Sequence, residues 1–254
     1  MKKRTIFLIA LVVFFPLNNL PSYANGTSFQ NNIAVQAMEQ NEGMENSIQS
    51  FLNAFPMISA DALKAAIMGY SELNNEGKII KKDIITVIDF SKPSTEERLF
   101  IIDLKDKKII EKSLCAHGKN SGELFANKFS NAPESNESSL GFYIANETYD
   151  GKHGYSLKLD GQEPGINDKA RGRGVVMHAA DYVSQSFIQA TGRLGRSQGC
   201  PAVPTNQYEK IIRLIKGGSC LFIYHPDKYY SRNSTLLKHY SESCLAEAVS
   251  ALGE

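Results

Sequence analysis

Three consecutive runs, "DIITVIDF" at 83–90, "RLFIIDL" at 98–104 and "KIIEKSLCAH" at 108–117, place Ile, Val, Leu or Phe at most positions and are divided by "SKPSTEE" and "KDKK". Stretches this short, rich in β-branched residues and bounded by Pro, Ser and charged turns read as strands. The short charged break between the last two predicts a hairpin. Further strands are expected at "GFYIANET", "YSLKLDG", "RGVVMH" and "SCLFIY". The chain is therefore expected to be mainly β with some α, a mixed β-sandwich-like fold.

Helical spacing enters at two places. "SADALKAAIMGYSEL" opens with Ser59 in an N-cap position and sets Leu63, Ala66, Ile67 and Tyr70 on one face. "TNQYEKIIRLIKGG" aligns Tyr208, Ile211, Ile212 and Ile215, with Thr205 or Asn206 to cap and Gly217 or Gly218 to stop it. The division that follows is 59–77 for an N-terminal helical segment, 78–226 for the principal domain with one internal helix, and 227–254 for a tail ending in a small docking helix. Residues 25–58 form a polar leader. The segment 118–139 is polar and glycine-rich, and a loop that long in a compact domain is more often functional than idle.

The first 24 residues carry Lys2, Lys3 and Arg4, then an apolar run from Ile6 to Phe15, then Ser22-Tyr23-Ala24. This is the pattern of an export signal cut after Ala24, and its apolar run is well short of the ~20 residues that cross a bilayer. An exported protein, in a periplasm or beyond it, with no stable membrane span after cleavage is expected. Without those three basic residues the 28 Lys and Arg fall to 25 against 27 Asp and Glu, a formal charge of −2. Nucleic-acid binding has no electrostatic support in such a balance. Four cysteines in an oxidising compartment allow two disulfides. Cys115 and Cys220, however, lie in apolar runs where a cysteine serves as a small buried hydrophobe; a bridge between those two is the alternative.

Cys200 differs from them, since it ends the turn "RSQGC" and precedes "PAVP". A nucleophilic thiol needs access, a base and donors for the oxyanion that forms on attack. Gly195 and Gly199 let the chain turn and approach a ligand closely, and Pro201 biases Cys200 toward an extended backbone. The amides of Gly199 and Cys200 are the candidate donors. The nearest histidine on the N-terminal side is His178, at the end of a strand, and the glycines at 192, 195 and 199 allow the chain to fold back to it. Cys200, His178, His153 and His117 include zinc-ligand types, but their spacing fits no compact metal motif. No metal and no cofactor is expected.

The stretch "VVMHAADYVSQSFIQATGRLGRSQGCPAV" resembles the L,D-transpeptidase catalytic domain family, in the branch whose turn reads Ser-x-Gly-Cys-Pro-Ala. "AHGKNSG", "FSNAPESNESSLGFY", "YDGKHGYSLKLDG" and "GINDKARGRGVVMH" match in the same order, over about residues 80–225. The resemblance implies that Cys200 is the nucleophile and His178 the base, with the carbonyl of Ala179 orienting the ring. It also implies that Gly199 and Cys200 are the oxyanion donors and that Ser197 is the serine of the turn, counted with Gln198 among the substrate-binding residues. Gln198 stands where most members have a second histidine, so the activation of the thiol falls on His178 and the local amides. Arg196 is either a ligand for a stem-peptide carboxylate or a solvated charge. His153 with Tyr155, and His117, either line the pocket or form turns.

On this resemblance the chain is an exported cysteine acyltransferase whose partners are peptidoglycan stem peptides. It would form a thioester at Cys200 with loss of D-Ala and pass the acyl group to an amine. The rivals are an L,D-carboxypeptidase, with water as acceptor, and a wall-binding module with an inert Cys200.

Overall fold

The Ile- and Val-rich runs become neighbouring strands because both of their faces are apolar and both are covered. In the computed structural model, which describes residues 46, 48–152 and 154–238, β1 (Ile84–Asp89) and β8 (Ser219–Tyr224) are buried at every position. They pair in parallel at the centre of one eight-stranded sheet. On one side follow β2 (Leu99–Asp103) and β3 (Lys108–Ser113), both antiparallel. On the other side lie β4 (Gly141–Gly151), β5 (Gly154–Gly161), β6 (Val176–Ala179) and the two-residue β7 (Ala202–Val203). The sheet curls like a barrel instead of remaining open. Just past β3, Ala116 pairs with Ala202 of β7, exchanging N–H···O bonds of 2.8 and 3.3 Å.

Helix α1 (Ala60–Asn75) starts where expected, with Ser59 Oγ accepting the Ala62 amide at 3.3 Å. Leu63 and Leu73 are fully buried. A Cβ at Gly69 would stand 2.1 Å from the Phe142 ring, so only glycine lets the helix lie this close to β4. Phe142 in turn stacks on Phe222 at 4.1 Å. The end of the polar leader joins this packing. It is helical over 48–54, and Phe51, Phe55 and Ile58 are buried in the same core as the sheet.

Two details depart from the sequence expectation. The helix α3 (Tyr208–Ile215) has Gln207 at its N-cap, with no side-chain cap bond, in place of Thr205 or Asn206. A second internal helix, α2 (Gln185–Thr191), is capped by Ser184 Oγ on the Phe187 amide. None of its residues is buried, so it has no apolar stripe to read in the sequence. Cys115 and Cys220 are both fully buried free thiols, as expected of small hydrophobes. The export signal, the leader up to residue 45, and the tail around Cys244 lie outside the described residues. No described helix is long and apolar enough to cross a membrane.

After β8 the chain turns back through α4 (Lys228–Asn233) to a buried carboxylate. Glu163 accepts the Phe142 amide at 2.8 Å and the Tyr230 hydroxyl at 3.1 Å on Oε2, and the Ser234 hydroxyl on Oε1. Both oxygens face donors only. In Glu163→Gln one acceptor becomes an NH2 directed at a donor, and the expected loss is about 1–3 kcal/mol, read as a lower melting temperature. An undiminished melting temperature would show that this clasp does not secure the C-terminal segment.

Candidate active site

The register between β6 and β7 places the two candidate side chains, Cys200 and His178. His178 pairs with Ala202 and Ala179 with Val203 in parallel, an offset of 24 residues. Carried two residues back, the same offset sets Cys200 beside Val176, whose amide points at Sγ at 3.4 Å. Residues two apart on a strand share a face, so Val176 and His178 face one way. Cys200 and His178 line a single cavity of about 780 Å³.

The imidazole is oriented as the sequence implied. His178 Nδ1 lies 2.8 Å from the carbonyl oxygen of Ala179. A carbonyl only accepts, so Nδ1 carries the hydrogen and Nε2 holds the lone pair. His178 is a buried residue on a strand, a rigid mount for a base.

The cysteine turn is braced from within. Ser197 Oγ donates to the Cys200 carbonyl at 2.6 Å and accepts the Gly199 amide at 3.0 Å. Gly199 has φ +119°, and a Cβ there would lie 2.8 Å from the Glu137 carbonyl. This geometry corrects two expectations. The Gly199 amide is spent inside the turn and does not face the cavity as an oxyanion donor; the Cys200 amide has no hydrogen bond among the described residues. Ser197 lines the cavity, but its hydroxyl is committed to the turn and not to a ligand.

Burial pushes the Cys200 thiol up, and it is opposed by the Val176 N–H and by the charges of Arg173 and Lys152. Desolvation disfavours the thiolate more than these groups favour it. The resting site therefore holds a thiol, with Sγ 3.7 Å from the Gly174 carbonyl.

The remaining expected residues separate. Gln198 is exposed and lines the cavity. Arg196 also lines it, but its Nη1 reaches the carbonyls of Lys119 and Gly122 and pairs with Glu123 at 2.6 Å, so it is neither a solvated charge nor an unengaged carboxylate ligand. Tyr155 is absent from the cavity wall. It stands opposite Asp150 on the β4–β5 ladder with the Lys216 ammonium over its ring, and its neighbour on the strand stands opposite Tyr149, which does line the cavity. Alternation puts the two tyrosines on opposite faces. His153 lies outside the described residues. Arg173, Lys152, Tyr182, Glu134 and Asn136 also line the cavity; all five lie within the segments that carry the resemblance, but none was singled out as a site residue. Burial pushes the Tyr182 hydroxyl up to about 12.

His117 lies beneath the site and not in it. It is 1% exposed, Nδ1 accepts from Arg98 Nη2 at 2.8 Å, and Nε2–H donates to the Gly122 carbonyl at 3.3 Å. Its own carbonyl accepts the Ser197 amide at 2.9 Å, so this buried pair supports the cysteine turn from behind. Arg98 is itself fully buried, giving Nε and Nη2 to the Cys115 carbonyl at 2.9 and 2.7 Å.

The family model of the L,D-transpeptidase catalytic domain matches residues 55–224. No curated protein matches the chain. Among solved structures it is similar to an L,D-transpeptidase from Mycobacterium smegmatis, with 13% identity over 56% of this chain and 59% of that one and a TM-score of 0.35. An L,D-transpeptidase from Stackebrandtia nassauensis is similar at 13% identity over 71% and 77%, TM-score 0.35. The helical cell shape determining protein Pgp2 from Campylobacter jejuni is similar at 16% over 63% and 54%, TM-score 0.35. The chain spans about three fifths of the length of the mycobacterial structures it matches.

Burial and the Arg98 charge push the His117 ring down to about 3 from its ordinary 6.5. Between those values the unfolded chain binds the extra proton, so this part of the stability is full above pH 6.5 and is lost as pH falls toward 3. His117→Gln can keep both hydrogen bonds without titrating. Its melting temperature is expected to fall less steeply than that of the wild type between pH 6.5 and pH 4; an identical slope would assign the acid sensitivity to other groups.

Proposed function

We propose, since this chain belongs to the L,D-transpeptidase catalytic domain family, that its cavity is a cysteine acyltransferase site acting on peptidoglycan stem peptides. The observation that supports it most is the shared cavity of Cys200 and His178, with the ring fixed by the Ala179 carbonyl. The reading includes export after removal of residues 1–24, which brings the protein to its substrate.

In the first step His178 Nε2 takes the proton of the Cys200 thiol, and the sulfur attacks the carbonyl that joins the third, L-centred stem residue to its terminal D-Ala. The Cys200 amide is the turn donor for the oxyanion, a contribution of about 2.7–4 kcal/mol in such sites. The protonated ring then gives its proton to the departing D-Ala nitrogen as the tetrahedral centre collapses, leaving a thioester. An amine of a second stem attacks that thioester, His178 takes the amine proton, and the sulfur leaves and is reprotonated. Because burial keeps the resting thiol neutral, charge separation on sulfur and ring belongs to the reacting complex and not to the empty site. The same raised thiol and the neutral Gln198 side chain favour a second reading, a stem-peptide binding module in which Cys200 is inert.

With a disaccharide tetrapeptide as substrate, the protein is expected to release D-Ala and to gain the acyl mass. Cys200→Ala is expected to lose at least about 10³-fold in release, and His178→Gln about 10²–10⁴-fold. Release that persists in Cys200→Ala would sink the nucleophile assignment. Binding of sacculi without release or adduct in the wild type would select the module. Product analysis with and without an added amine separates transfer from hydrolysis.

A further inference from the structure

The guanidinium of Arg173 makes four hydrogen bonds although it lines the cavity. Nη1 donates to the Ser130 carbonyl at 2.8 Å and to Ser139 Oγ, and Nη2 donates to the Glu137 carbonyl at 2.9 Å and to Ser135 Oγ at 3.1 Å. All four acceptors belong to the loop 130–139. That loop reaches the cysteine turn directly, for Ser138 Oγ donates to the Gly199 carbonyl at 3.1 Å and accepts the Gly118 amide at 3.0 Å. A continuous path of hydrogen bonds thus runs from Arg173 through the loop to the residue before Cys200.

Arg173 also stands just before Gly174, whose carbonyl is 3.7 Å from Sγ, and Val176, whose amide points at Sγ. It makes no ion pair among the described residues, while Arg196 is paired with Glu123 and Lys152 is exposed at the β4–β5 turn. A cation held at four points needs no reorganisation when negative charge develops nearby. With four N–H groups committed, it is poorly suited to grip a ligand carboxylate.

We propose that Arg173 is a positioning residue for this site, clamping the loop 130–139 onto the Gly199–Cys200 turn and keeping a fixed positive charge on the cavity that the sulfur lines. The proposal rests on the reading of Cys200 as the nucleophile. The other titratable and charged groups on that cavity are His178 from β6, Tyr182 beyond it, Tyr149 from β4, Lys152 from the β4–β5 turn, Glu134 from the loop and Arg196 from the turn itself.

The test is the pH dependence of Cys200 alkylation by iodoacetamide, followed by peptide mass so that the other three cysteines are counted apart, beside kcat/KM for D-Ala release. Arg173→Met is expected to raise the alkylation midpoint by about one pH unit. Arg173→Lys is expected to restore most of the midpoint, because it keeps the charge. Its kcat/KM stays about tenfold down, because one ammonium cannot span four acceptors. Ser138→Ala, with Arg173 intact, is expected to lower kcat/KM and leave the midpoint in place. A wild-type midpoint in folded Arg173→Met overturns the proposal. If that variant does not fold, wild-type kcat/KM in both Arg173→Lys and Ser138→Ala overturns it. An Arg173-dependent midpoint in a protein that releases no D-Ala would stand against the transpeptidation reading and leave this one, and D-Ala release indifferent to Arg173 would do the reverse.

Discussion

The pairing of Ala116 with Ala202 is the contact on which the rest of the site depends. It joins the chain beyond one edge of the sheet to the strand at the other edge, and so closes the eight strands on themselves. Without it β7 has only β6 as a neighbour, and the turn before β7 has no wall behind it. With it, His117 and Gly118 run alongside the turn, and the Ser197 amide finds the His117 carbonyl. Small side chains at both members of the bridge allow the two backbones to meet.

The buried groups near this seam serve support more than chemistry. Arg98 is withdrawn from water and bound to the Cys115 carbonyl and the His117 ring, and its guanidinium lies 4.6 Å over Phe90. Burying a charge costs several kcal/mol unless its donors are satisfied, and here two of the three acceptors belong to the segment that backs the cysteine turn, the third being the Lys92 carbonyl at 2.9 Å. The cavity itself has the opposite arrangement, with cations around a thiol that burial keeps neutral. Proton transfer to His178 would move negative charge toward groups already in place.

The strands were legible in the sequence because runs buried on both faces are apolar at most positions, as β1, β2 and β8 show. Helix α1 was legible because one face is apolar and Ser59 caps it. The solvated α2 and the two-residue β7 were not, since neither has a periodic pattern. At the site, Cys200, His178 and the Ala179 carbonyl could be placed from spacing and resemblance. His117 and Tyr155 went astray because a histidine before a glycine, or a tyrosine at a strand start, does not reveal which face it takes; pairing register decides that. The role of the Gly199 amide turned on a single serine hydroxyl, and that of Arg173 on a loop without any pattern of its own.

The position of β8 has a kinetic meaning. The last strand among the described residues sits between β1 and β4, near the middle of the sheet, and pairs with a strand more than 130 residues earlier. Without β8, β1–β3 and β4–β7 meet only along the Ala116–Ala202 seam, and neither group can cover its central edge. Closing so large a loop comes before any reward from the contacts it makes. Among the described residues β8 is the keystone, the strand that joins the two groups through the middle of the sheet.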